Sequence, residues 1–225
     1  EMLIDLCEKY RSKDGSYDCI VPGSGGKDSF MQAHLLKYKY KMNPLTVTWA
    51  PHMYTSWGLK NFEAWVNAGF DNVKITPNGK VHRLLTRLAM DKLLHPFQPF
   101  IIGQRHVATK LAVKLNIPLI FYGESGSEYG NPLKENEMAT RSFNEYEFFN
   151  QEDNSQVFLS GISLAELYKK WNLSRSDIEM YMPPEPDSVV KKGIQVHWLG
   201  YYTKWHPQGA YYYSVENGDF KDFII

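Results

Sequence analysis

Tyr17-Asp18-Cys19-Ile20-Val21-Pro22-Gly23-Ser24-Gly25-Gly26-Lys27-Asp28-Ser29-Phe30 is the stretch that decides the fold. An apolar run through Cys19, Ile20 and Val21 leads into a turn containing Gly23, Gly25 and Gly26. An amphipathic segment follows, with Met31, Leu35 and Tyr38 at helical spacing. The order is strand, glycine-rich turn, helix. Glycines carry no Cβ, so such a turn lets backbone N–H groups approach an anion closely. The helix behind it adds unpaired N–H groups and the positive end of its dipole. A tight turn without a ligand is the plainer reading. It does not account for two hydroxyls, a Lys and an Asp standing among the same glycines.

Two common phosphate loops do not fit. The nucleoside-triphosphatase loop needs a glycine where Val21 stands, and Ser or Thr where Asp28 stands. The dinucleotide pattern G-x-G-x-x-G fails after Gly23-Ser24-Gly25. Ser24-Gly25-Gly26-Lys27-Asp28-Ser29 instead resembles the Ser-Gly-Gly-x-Asp-Ser signature of the pyrophosphatase-loop ATPases. That resemblance implies ATP cleaved between its α- and β-phosphates, adenylation of a carbonyl oxygen, and displacement of AMP by nitrogen or sulfur. It also implies a core of the HUP type.

Outward from the loop, strand-like stretches fall at Tyr17–Val21, Leu45–Ala50, Asn72–Thr76, Pro99–Ile102 and Pro118–Tyr122. Helical stripes lie between them: Leu59, Phe62 and Val66; Val81, Leu84, Leu85, Leu88 and Ala89; Ala108, Leu111, Ala112 and Leu115. This alternation predicts an α/β fold, a Rossmann-like parallel sheet with helices on both faces. Ligands then bind beyond the carboxyl ends of the strands, directing attention to residues 22–29, 50–57, 76–80, 102–106 and 123–132. The division expected is an ATP-binding domain over 1–130 and an appended region over 131–225, packed as part of the same globule. In the appended region Ser163 with Glu166, and Ser174 with Asp177, read as capping boxes of two short helices. Ile194–Trp205 reads as a strand. Tyr201–Tyr202 and Tyr211–Tyr213 flank His206-Pro207-Gln208-Gly209, which predicts a β-hairpin.

Among 225 residues, 25 basic side chains balance 25 acidic ones, which argues mildly against a tRNA substrate without excluding a local basic patch. Cys7 and Cys19 are too far apart for a CxxC pair and read as buried thiols of a reducing compartment. No stretch is long and apolar enough to span a membrane. The expected location is the cytoplasm. The chain opens on Glu1 rather than Met and ends on an apolar run, as a piece of a longer protein would.

Candidate site residues follow from the loops. Ser24, Gly25, Gly26 and Ser29 are expected on phosphate oxygens. Lys27 is placed to neutralise the leaving pyrophosphate. Asp28 cannot favour phosphate itself, so it reads either as a Mg²⁺ ligand or as a helix-start carboxylate on the dipole. Ala50, at the end of the second strand, is the expected backbone contact of the base, and His52 reads as a solvated loop side chain. Gly103 and Gln104, after Pro99–Ile102, are placed for a nucleotide contact. In the loop after the fifth strand, Gly123, Glu124, Ser125 and Tyr129 suit hydrogen bonding to a polar acceptor, with Glu124 as general base.

Further blocks narrow the resemblance. Gly103-Gln104 precedes a helix ending in Lys114-Leu115-Asn116-Ile117-Pro118-Leu119-Ile120. Tyr122-Gly123-Glu124, Glu128-Tyr129-Gly130 and Leu199-Gly200-Tyr201-Tyr202-Thr203-Lys204-Trp205 follow. In this order they resemble the N-acetyl sugar amidotransferase family of surface-polysaccharide biosynthesis, which includes enzymes of lipopolysaccharide O-antigen. The resemblance implies ATP with Mg²⁺, an acetamido-sugar nucleotide as acceptor, and an acetamidino product. It further implies ammonia delivered by a glutaminase subunit through a cyclase-like barrel subunit. Family members usually open with a Cys-rich segment and extend well past residue 225; neither feature is in this sequence. Two rivals remain: a tRNA-modifying ligase or thiolase with the same ATP chemistry, and an adenine-nucleotide sensor without turnover.

Overall fold

The computed structural model describes residues 1–123, 138–141, 143, 146, 149 and 151–221. Helix α1 (Met2–Tyr10) precedes strand β1 (Cys19–Pro22), which runs through the glycine turn into α2 (Lys27–His34) and a π-helical turn over Leu35–Lys39. Strand β2 (Pro44–Trp49), helix α3 (Ser56–Asn67), strand β3 (Asp71–Ile75), helices α4 (Gly79–Leu93) and α5 (Gln98–Leu115) and strand β4 (Leu119–Tyr122) follow. Beyond them lie a short antiparallel pair, β5 (Phe158–Leu159) with β6 (Ile162–Ser163), and helices α6 (Leu164–Trp171), α7 (Arg175–Ile178) and α8 (Pro186–Lys191). Strand β7 (Gln195–Trp198) and helices α9 (Leu199–Tyr202) and α10 (Pro207–Gly218) complete the described elements.

The central sheet has five parallel strands in the order β3-β2-β1-β4-β7. The protein is thus α/β with a Rossmann-like core, as the strand–helix alternation predicts. Strands β1 and β2 are buried along their whole length, as covering on both faces requires. Alternate residues divide between the two layers. Ile20 and Ile120 join one core with Leu85, Val107 and Ala112 of α4 and α5. Cys19, Val21, Leu119 and Phe121 join the other with Cys7, Phe30 and Trp65 of α1, α2 and α3. The buried Asp18 carboxylate anchors the start of β1, accepting from the N–H groups of Ser12 and Asn43 at 2.6 Å each. β7 comes from the appended region yet lies beside β4, with Phe121 opposite His197.

Three local expectations are corrected. Pro99–Ile102 is the opening of α5, not a strand. A short apolar run has no period of its own, and the buried positions Pro99, Gly103, His106, Val107 and Lys110 continue at helical spacing. The strand expected over Ile194–Trp205 stops at Trp198 and turns into α9. The tyrosine-flanked hairpin is replaced by α10, with Pro207 at its first position and His206 Nδ1 accepting from the Gly209 N–H at 3.2 Å. Proline is preorganised for that position. Ala210 and Ser214 are buried one turn apart, and Gly218, a further turn on, packs on the Phe30 ring of α2. Small residues in one row let the two helices approach closely. The Ser174–Asp177 capping box forms complete, whereas Ser163 caps α6 through the Glu166 N–H alone. No helix among the described residues is long and apolar enough to cross a membrane.

Candidate functional site

The chain winds from β1 to β2 and β3 on one side, then returns to place β4 on the other side of β1. Beyond the carboxyl ends of β1 and β4 the connections therefore diverge, which is where a sheet of this kind opens a crevice. The glycine turn sits at that point. Gly23 donates to the Val47 carbonyl at 2.9 Å, tying the turn to β2. Gly25 holds φ +86°, and a Cβ there would stand 2.6 Å from Cα of Phe62 in α3. The turn is thus pressed against α3 in a shape that only glycine adopts without strain. The N-cap of α2 is Gly26, with no side chain to satisfy the first N–H groups of the helix. The Ser29 hydroxyl donates to the Gly26 carbonyl at 2.9 Å.

Two adjoining cavities open beside this turn, sharing Pro22, Gly23, Ser24 and Gln104. The larger, about 290 Å³, is mainly apolar, walled by Val47, Trp49, Pro51, Tyr54 and Phe100. The smaller, about 210 Å³, is more polar, with Gly26, Asp28, Ser29, Gln32, Tyr122 and Gly123 on its walls. Together they form one groove with a flat apolar half and a polar half, joined at the glycine turn.

Four polar atoms on residues lining this groove are buried without a partner among the described residues: Asp28 Oδ1, Trp49 Nε1 and the hydroxyls of Tyr54 and Tyr122. Leaving such a group unpaired costs about 1–3 kcal/mol, and this groove gathers several of them. The other Asp28 oxygen accepts from Lys27 Nζ at 2.5 Å. Lys27 and Asp28 are three-tenths and about a quarter exposed, and Asp28 lines the polar cavity. Burial raises the Tyr122 phenol above its ordinary value, opposed by the nearby Arg141 and Arg105 charges.

The remaining candidates separate. Gln104 lines both cavities although it stands within α5 rather than after a strand. Gly103 faces the Trp49 indole, where any Cβ would overlap the ring. It is a packing glycine that lets α5 close on β2. Ala50 lies between two groove residues, but its N–H donates to the Ile75 carbonyl at 2.9 Å and is not free for a base. His52 is an exposed loop side chain, as expected, and it also stacks on His82 at 4.3 Å beside Phe97 and Phe100. Gly123 stands at the polar cavity, its carbonyl accepting from Gly200. Glu124, Ser125 and Tyr129 lie outside the described residues. Sequence reading misses Gln32, which is fully buried, lines the polar cavity and donates to the Phe121 carbonyl. Its signal is a polar amide set between buried Met31 and Ala33. Among the described residues no three metal-ligating side chains gather.

Three histidines are buried among the described residues: His82, His106 and His197. His82 hydrogen-bonds the Tyr181 hydroxyl at 2.7 Å and His106 the Tyr181 carbonyl at 2.6 Å. Desolvation lowers both to about 4, as it does His197 between Tyr202 and Gln195. Folding holds these rings neutral while the unfolded chain protonates them near 6.5. Their contribution is therefore complete above pH 6.5 and is lost as pH falls towards 4, at up to about 1.4 kcal/mol per pH unit for each ring. Urea unfolding at pH 7.5 and 5.0 is expected to show a clearly lower midpoint at pH 5.0. Equal midpoints would contradict these environments.

No family model matches the chain. Over 43 residues it is 51% identical to the uncharacterized protein MJ1599 of Methanocaldococcus jannaschii, a stretch covering 19% of this chain and 16% of that protein.

Proposed function

We propose that this chain binds ATP in the groove, splits it to AMP and pyrophosphate, and uses the adenylate to convert an acetamido sugar into an acetamidino sugar. The observation carrying this reading is the coupling of the glycine turn, pressed against α3, to a groove with one apolar and one polar half. A purine fits the apolar half against Trp49 and Tyr54, and the triphosphate then runs past the turn. Backbone N–H groups and Lys27 receive the pyrophosphate as negative charge builds on it. The acceptor enters the polar half, where the amide of Gln104 and the phenol of Tyr122 are available to orient it.

The amide oxygen of the sugar N-acetyl group attacks the α-phosphorus. The bond from that phosphorus to the bridging oxygen breaks, and pyrophosphate leaves with the electron pair. Ammonia then adds to the activated carbon, loses a proton, and AMP departs with the former amide oxygen. Glu124, the general-base candidate in the sequence that follows Gly123, is the residue expected to take that proton. Mg²⁺ fits the donor set, because Asp28 has one oxygen without a partner and this ion takes one or two carboxylates plus phosphate oxygens and water. Bound there, it would neutralise phosphate charge. Ammonia would come from a glutaminase subunit through a barrel subunit, and the setting would be cytoplasmic surface-polysaccharide synthesis.

The test is turnover of α-labelled ATP by the full chain with Mg²⁺, ammonium at raised pH and a panel of diacetamido-sugar nucleotides. AMP with pyrophosphate, dependent on one sugar, is expected. ADP as product would overturn the loop assignment. AMP formed only with tRNA would overturn the acceptor, and no turnover with either would leave a nucleotide sensor.

A further inference from the structure

We propose that the segment from Trp205 to Lys221 is a strap that fixes the phosphate side of the groove, with Ser214 as its positioning residue. The inference rests on the nucleotide reading above. One continuous segment touches three walls of the phosphate side. At its start the Trp205 ring lies against Gly123, where a Cβ would come within 3.0 Å of the indole. In the middle, the Ser214 hydroxyl lies 2.9 Å from the carbonyl oxygen of Lys27, the first residue of α2. At the far end Asn61 of α3 clasps Lys221 from both sides: Asn61 Nδ2 donates to the Lys221 carbonyl at 2.8 Å, and Asn61 Oδ1 accepts from the Lys221 N–H at 2.9 Å. Asn61 is also the residue whose carbonyl would meet a Cβ on Gly25 at 2.8 Å. The strap thus holds both the helix that begins at the turn and the helix against which the turn is pressed.

Ser214 is fully buried, and its hydroxyl is equally close to the Ala210 carbonyl, at 2.8 Å. A helical serine ordinarily bonds back to the carbonyl four residues earlier. One hydroxyl proton serves two acceptors here, so the link to Lys27 is an addition to the local bond. Removing the hydroxyl leaves each carbonyl with its place in its own helix and orphans no buried group. The effect on stability is then small, and what is lost is the register between α10 and the phosphate turn. The pair of His34 Nδ1 with the Tyr213 hydroxyl at 2.7 Å and the packing of Gly218 on Phe30 keep the helices together meanwhile.

The test compares Ser214→Ala and Asn61→Ala with the natural chain by calorimetric titration with inorganic pyrophosphate, ATP and adenosine, beside thermal melts. Asn61→Ala severs the clasp at a partly exposed position, so it reports even if Ser214→Ala misfolds. Each variant is expected to lose about threefold to tenfold in pyrophosphate and ATP affinity, as the loss of one positioning hydrogen bond allows. Adenosine affinity is expected to hold, with melting points within about 3 °C of the natural chain. Unchanged pyrophosphate affinity in both variants, or equal losses for pyrophosphate and adenosine, would overturn the strap and leave the nucleotide reading standing. If the natural chain binds neither ATP nor pyrophosphate, the nucleotide reading falls and the strap with it.

Discussion

Asp28→Asn is expected to cut AMP formation at least about a hundredfold while the protein stays folded. Asparagine keeps the shape of the side chain and removes its charge. The 2.5 Å ion pair with Lys27 disappears, and so does the partnerless carboxylate oxygen beside the polar cavity. Both groups are partly exposed, so the pair itself contributes only about 0–1 kcal/mol to stability. Activity and stability should therefore separate. Quenched assays of labelled ATP, run beside thermal melts, decide it. A melting point that drops in step with the rate would mean that Asp28 only shapes the start of α2.

Gly25→Ala is expected to damage both stability and nucleotide binding. A left-handed backbone costs a residue bearing a Cβ about 1–2 kcal/mol, and the new methyl meets the backbone of Asn61 and Phe62, which cannot rotate away. Overpacking of this kind adds about 1–3 kcal/mol. At roughly 2–4 °C per kcal/mol for a chain of this size, the melting point falls by about 4–20 °C. The turn must also lift from α3, carrying its N–H groups away from the groove, and ATP affinity falls with it. Gly26→Ala is the control for stability. A Cβ at Gly26 meets nothing within 4 Å, and its backbone is extended, at φ −67° and ψ 160°. Equal melting-point losses in the two variants would show that the turn's shape is not the cause.

The legible parts of this fold are those where local chemistry and tertiary packing agree. β1, β2 and β4 are short apolar runs bounded by turn residues, and Val81, Leu85, Leu88 and Ala89 repeat at helical spacing and are buried as their stripe implies. The glycine turn is legible because its residues serve a backbone shape and a charge at once. Pro99–Ile102 is not, since proline followed by Phe-Ile-Ile suits a buried strand as well as the first turn of a buried helix. The tyrosines at 201–202 and 211–213 favour strands by propensity, and packing overrides them: Ala210, Ser214 and Gly218 form the face that meets α2. That signal, a small residue every four positions, is visible in the sequence once tyrosine is not allowed to dominate. The groove's outline is half legible. Ser24, Asp28 and Gln104 lie on it, and Tyr54 falls in the 50–57 stretch the strand order singles out, but Trp49 and Gln32 join it only because the fold brings β2 and α2 to one edge.

The strand order also governs how the chain is born. β4 emerges well before the strand that covers its outer edge, β7, which cannot pair until Gln195–Trp198 have left the ribosome. Until then Leu119, Ile120 and Phe121 present an open row of backbone donors and acceptors backed by large apolar side chains, the kind of edge onto which another nascent chain can add. Pairing across so long a stretch of sequence is slow, because the loop must close before the contacts form. The nascent chain thus passes through a window in which β1 to β4 are laid down but the outer edge of β4 is uncovered. Chaperone occupancy during translation should concentrate on that window, between the emergence of Tyr122 and that of Trp198.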